Sequence, residues 1–249
     1  MPRIDRLSLT SEGLALPSVD HLSNKGMLNV LLDRTLSGIP AGLPPDRTMV
    51  GVFMNFSRLT DKALREYDAA RAELIQYVSP GDFRPGIYVR AIDHMENAIG
   101  AVCRAVLNAR ILRTAKIGRA GPDLTQLQFQ RLAYVRNAIE HSDEKLIGQQ
   151  KFKTSPAFEK EDPFSLRLAN TSMVIGAHVL TYRALVSAMT KCHGTIEVIR
   201  GVATGSPGPN FPNAVLRTDP GIPKDAAQNL SMHASDYFKE LTRLVVTHT

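Results

Sequence analysis

The chain has 249 residues, 43% of them hydrophobic, with a formal charge of +6 and two cysteines, Cys103 and Cys192, far apart in sequence. That length and composition are ordinary for a globular protein with one sizeable core, and the cysteine pattern excludes a disulfide framework or a CxxC zinc module. The polar opening residues carry no secretory signature, and the most apolar run, SMVIGAHVLTYRALVSAM, is interrupted by His178 and Arg183, so the expectation is a soluble, cytoplasmic protein without a membrane span.

Residues 1–57 are expected to be an irregular N-terminal extension, apart from one short helix around Met27 to Leu36 that Gly38 and Pro40 end. From about Thr60, Ala63, Tyr67, Ala70, Leu74 and Tyr77 recur at helical spacing and predict a long helix ending before Pro80-Gly81. A second helix is predicted from about Gly86 to Leu112, with Ile92, Met95, Ile99, Val102 and Val106 on its buried stripe. Gly118, Gly121 and Pro122 make a turn, and Asp123 is a natural N-cap for a third helix carrying Leu124, Leu127, Leu132, Val135 and Ile139. A polar segment follows at about 148–163, then a brief alternation at 165–169 that suggests a short strand. Ile175, Val179, Tyr182, Val186, Met189, Cys192, Ile196 and Ile199 predict a fourth long helix. Residues 202–249 read as a Pro/Gly-rich linker and a last helix built on Leu230, Ala234, Tyr237, Leu241 and Leu244. The predicted class is all-α, with an antiparallel four-helix bundle over residues 58–201 as its body.

The charge is unevenly spread. Arg104, Arg110, Arg113, Lys116, Arg119, Arg131 and Arg136 share their stretch with a single acid, Asp123, so this stretch accounts for the whole basic excess. A local excess of that kind suits a polyanion such as RNA, although a solvated helix face is the commoner reason for a charge run.

The third predicted helix ends on Arg136-Asn137-Ala138-Ile139-Glu140-His141. Allowing four to six intervening residues, an arginine precedes a histidine twice, here and at Arg243 and His248, and about two matches are expected from random placement. Context separates them. Arg136 is followed by the polar Asn137 at the end of a predicted bundle helix, whereas Arg243 precedes Leu244 and His248 is the penultimate residue. Histidine titrates near neutrality and serves as acid or base, and arginine offers a fixed fork of donors to a phosphate. The competing reading of Arg136 is an ion pair with Glu140 at i, i+4. His94 beside Asp93 and Glu96 lacks a second histidine at ligand spacing and reads as a solvated face, and no Gly-rich phosphate loop or nucleophile elbow is present. No metal or cofactor is expected.

An all-α bundle with Arg-Asn-x3-His closing its third helix resembles the HEPN superfamily of ribonucleases, many of them toxins and phage-defence proteins. The resemblance covers residues 58–201 and rests on one motif plus helix order. It implies a metal-independent endoribonuclease that cleaves single-stranded RNA by 2′-hydroxyl attack, leaving 2′,3′-cyclic phosphate ends. Arg136, Asn137 and His141 would be catalytic, and Asp93 or Glu96 on the preceding helix would be the supporting acid. Arg104, Arg110, Arg113, Lys116, Arg119 and Arg131 would bind the RNA backbone. It further implies a homodimer that brings two motifs into one cleft, with an antitoxin or regulatory protein as a further partner. The alternative is a catalytically silent RNA-binding or dimerisation module of the same fold. The sequence departs from the family where nucleotidyltransferase-regulated toxins carry a tyrosine two residues after the histidine; here that position is Asp143.

Overall fold

The computed structural model describes residues 9–22, 25–37, 46–80, 84–115, 117, 126–140, 166–175 and 178–200. The expected polar segment at 148–163, the Asp123 cap and the linker and helix at 202–249 lie outside these residues. The described chain is predominantly helical: α1 (Gly26–Ser37), α2 (Arg47–Tyr77), α3 (Pro85–Thr114), α4 (Gln126–Glu140) and α5 (Tyr182–Arg200). Between α4 and α5 lie three short strands, β1 (Arg167–Leu168), β2 (Ser172–Ile175) and β3 (His178–Thr181).

Two expectations are corrected. The first long helix begins at Arg47, so residues 47–57 belong to α2 and are not irregular. Asp46 caps it, its side chain accepting from the Thr48 N–H at 2.8 Å, just after the Pro44-Pro45 break. Val50, Phe53 and Phe56 then continue the buried stripe toward the N-terminus, the two phenylalanines fully enclosed. Ser57 and Thr60 interrupt that stripe without cost, because each hydroxyl donates to the carbonyl four residues back, at 3.0 Å.

The second correction concerns the fourth helix, which starts at Tyr182; Ile175 and Val179 sit in strands β2 and β3 instead. The strands pair antiparallel in the order β1-β2-β3, with Ile175 opposite His178 and Ser172 opposite Thr181. Val174, Ile175 and Val179 are β-branched residues that favour a pleated surface, and their spacing satisfies helix and strand templates alike. The short strand suggested at 165–169 is present as β1. Tyr88 of α3 holds it, accepting from the Leu168 N–H at 2.8 Å, while the Tyr182 hydroxyl donates to Ala169 O at 2.8 Å.

Helices α2 and α3 run antiparallel. Their paired side chains climb one helix while descending the other: Tyr77 with Tyr88, Glu73 with Arg90, Glu66 with His94, and Asn55 with Asn108. Arg84 and Pro85 start α3, proline standing in the first turn where its missing N–H is harmless. From Met95 to Val106 the apolar residues of α3 are all buried, and the helix packs against α2, α4 and α5. It is the central helix of the core.

Two ionic contacts fix α1. Asp61, on the inner face of α2, accepts from the N–H groups of Gly26 (3.0 Å) and Met27 (2.7 Å), capping α1 from a neighbouring helix. Farther along, Arg200 of α5 holds Asp33, with Nε 2.6 Å from Oδ2. Among the described residues, no helix is long and apolar enough to cross a membrane.

Candidate functional site

One face of α3 forms a polar seam. Asp93, Glu96, Asn97, Gly100 and Arg104 recur at helical spacing on the side that the apolar core leaves open. Across from them stands α4, which buries Leu132, Val135 and Ala138 and turns Arg136, Ile139 and Glu140 toward the seam. Together these eight residues line a cavity of about 500 Å³.

The sheet sets the rotation of α4. Tyr134 stacks on His178 of β3, ring centroids 5.4 Å apart and planes 10° from parallel. Residues two apart on a helix point about 200° apart, so anchoring Tyr134 against the sheet directs Arg136 to the α3 side. In this way the small sheet, absent from the helical expectation, orients the candidate arginine.

The electrostatics of the cavity are mixed. Arg136 holds Glu140 through two contacts, Nε to Oε1 at 2.8 Å and the terminal nitrogen to Oε2 at 2.7 Å. The i, i+4 ion pair weighed against catalysis from the sequence is therefore formed. Arg104 folds back over its own helix, Nε donating to Gly100 O at 3.1 Å. Burial raises the Glu96 carboxyl above its ordinary range, and the neighbouring Asp93 charge adds to the effect. Beneath the cavity the Cys103 thiol is pushed up to about 12 by burial, with Arg136, Glu140 and Arg104 close enough to perturb it. That thiol stays protonated and inert at neutral pH.

Of the residues singled out in the sequence, Arg136, Asp93, Glu96 and Arg104 share this cavity. Asn137 is partly buried on α4 beside it and does not line it. His141, Lys116 and Arg119 lie outside the described residues. The remaining basic residues do not extend the site as one stripe: Arg113 is about two and a half turns from Arg104, on the opposite side of α3. Arg110 is half-buried, and that burial together with Arg113 lowers its affinity for the proton. Arg131 occupies a different face of α4 from Arg136. His94 hydrogen-bonds Glu66 across the α2–α3 contact at 2.8 Å, which gives it a structural role.

Sequence reasoning passed over Asn97 and gave Glu140 only the part of a partner for Arg136. Both were findable: Asn97 is four residues from Asp93, and Glu140 four from Arg136, so each falls on the face of a residue already in view. Chemically, the cavity offers guanidinium donors for phosphate oxygens and a carboxyl, Glu96, whose protonation is shifted toward neutrality. Comparison with protein-family models, with curated proteins and with solved structures found no match.

Proposed function

We propose that this protein is a metal-independent endoribonuclease of the HEPN kind, acting on single-stranded RNA as a homodimeric toxin or defence effector, with an antitoxin or other regulator as partner. The observation that carries this reading is the placement of Arg136 from α4 opposite Asp93 and Glu96 from α3 in one cavity. An arginine and an acidic residue from the preceding helix are the pairing that the Arg-Asn-x3-His resemblance implies.

In this mechanism the RNA 2′-hydroxyl loses a proton to a base and attacks the adjacent phosphorus, and the 5′-oxygen leaves with a proton from an acid. His141, the residue after α4, serves in one of these proton transfers. Arg136 stabilises the charge that builds on the non-bridging oxygens. Glu96, half-buried and shifted toward neutrality, is the better supporting acid, since Asp93 is exposed. A second protomer brings a second Arg136 and His141 to the cleft and supplies the remaining proton transfer.

One observation favours a second reading, a catalytically silent RNA-binding module of the same fold: the guanidinium edge that would hold the phosphate is occupied by Glu140. Incubating the purified chain with labelled RNA in EDTA decides between them. The expected products carry 2′,3′-cyclic phosphate ends and form at an undiminished rate. Loss of cleavage on chelation, restored by magnesium or manganese, would indicate a two-metal mechanism, and binding without cleavage in any buffer would indicate the silent module.

A further inference from the structure

Arg136 presents its fork to a carboxylate. The Nε and terminal nitrogen of its guanidinium meet the two Glu140 oxygens at 2.8 and 2.7 Å, the bidentate geometry that a phosphate takes on arginine. Helix energetics favour this pair only weakly, since arginine preceding the acid is the weaker order at i, i+4. The two side chains are 25% and 46% exposed, so water competes for both partners and the pair is weakly held. Both line the cavity that Arg104 and Asn97 also line.

We infer that Glu140 is a resident counter-ion in the place of a substrate phosphate, and that an RNA phosphate entering the cavity displaces its carboxylate from Arg136. The inference rests on the RNA reading of this site and deepens it, but it concerns binding and not cleavage. The exchange swaps one anion for another on the same guanidinium edge; no covalent bond forms or breaks. The displaced carboxylate stays close to the incoming phosphate and repels it. A single phosphate therefore competes poorly, while a strand with a further phosphate on Arg104 competes well. Glu140 thereby selects extended RNA over mononucleotides.

The experiment measures anisotropy of a labelled 2′-O-methyl RNA oligonucleotide, which lacks the nucleophilic hydroxyl, with the full chain and with Glu140→Gln. The variant is expected to bind about two- to five-fold tighter, the range of an exposed ion pair. Its slope of log affinity against log salt should steepen by up to about 0.7, one single-strand phosphate contact. In an Arg136→Ala background the same substitution should give no gain. Thermal unfolding of each variant near the parent's Tm shows that folding is intact. Equal or weaker binding by Glu140→Gln would overturn the inference and make Glu140 a residue that positions Arg136. A gain that persists in Arg136→Ala would reduce it to general charge, and no oligonucleotide binding by either protein would also end it. Cleavage of unmodified RNA, assayed in parallel, keeps the two ideas apart: cleavage without the binding gain removes the exchange and leaves the ribonuclease, and the gain without cleavage does the reverse.

Discussion

At the scale of single residues, the decisive comparison is between two arginine–histidine pairs with identical spacing. Arg136 lies in a cavity with two acids from another helix, and Arg243 and His248 lie outside the described residues. His141→Ala is expected to lower cleavage by about 10²–10⁴-fold, the contribution of a positioned acid or base, and Arg136→Ala to do comparable damage through lost transition-state charge stabilisation. Arg243→Ala and His248→Ala, chosen against on sequence context, should leave single-turnover rates on the same RNA within about two-fold. Equal losses in the two pairs would mean that the helix context used to choose between them has no bearing on activity. The Arg136 and Glu140 positions were legible as a pair from their spacing. Their shared cavity with Asp93 and Glu96 was not, because it depends on how α4 is rotated against α3.

At the scale of elements, helix existence was legible wherever apolar residues kept a three-to-four spacing over several turns, as in α2, α3 and α5. It failed at Ile175 and Val179, where β-branched residues satisfied both templates and the pairing of β2 with β3 decided the outcome. It also stopped short at the start of α2, although the Asp46 cap and the spacing of Val50, Phe53 and Phe56 are local signals that extend the same stripe. Helix α1 depends on a long-range contact. Asp61 caps it from α2, and although the bonds from Met27 and Gly26 favour the charged form, burial dominates and raises the Asp61 carboxyl. Removing the acceptor leaves two helix N–H groups unpaired in a buried place. Asp61→Ala should therefore destabilise the protein by about 1–3 kcal/mol in urea unfolding, with Asp61→Asn intermediate. A change below about 0.5 kcal/mol, the size of an ordinary surface substitution, would mean that α1 adds nothing to the cooperative unit.

At the scale of the whole molecule, acid stability reflects how buried titratable groups are placed. His193 of α5 has a buried Nε2 with no hydrogen-bond partner among the described residues, and burial lowers its proton affinity below the ordinary 6.5. Glu197 opposes that shift, while His21 of the N-terminal segment and Arg200 add to it. The unfolded chain thus takes up this proton at higher pH than the folded one. The stabilisation is present above 6.5 and is lost as pH falls through the lower folded value. Asp61 acts in the opposite sense and at lower pH: its raised carboxyl favours the folded state as pH falls toward 3.8. Denaturation midpoints measured from pH 8 to 5 should decline in the parent and flatten in His193→Gln. An unchanged decline in the variant would place the titration elsewhere.

The amino-acid sequence by itself determined that the described chain is predominantly helical, where α1 and α3 begin and end, and that basic charge concentrates between Arg104 and Arg136. Those properties follow from local periodicity, caps and composition, which act over a few residues. Tertiary structure decided the rest. It made Asp61 the cap of a helix far away in sequence, and through Tyr134 and His178 it brought Arg136 to the acids of α3. Each depends on the rotation and register of one element against another, set by packing of the shared core, and no local spacing encodes that.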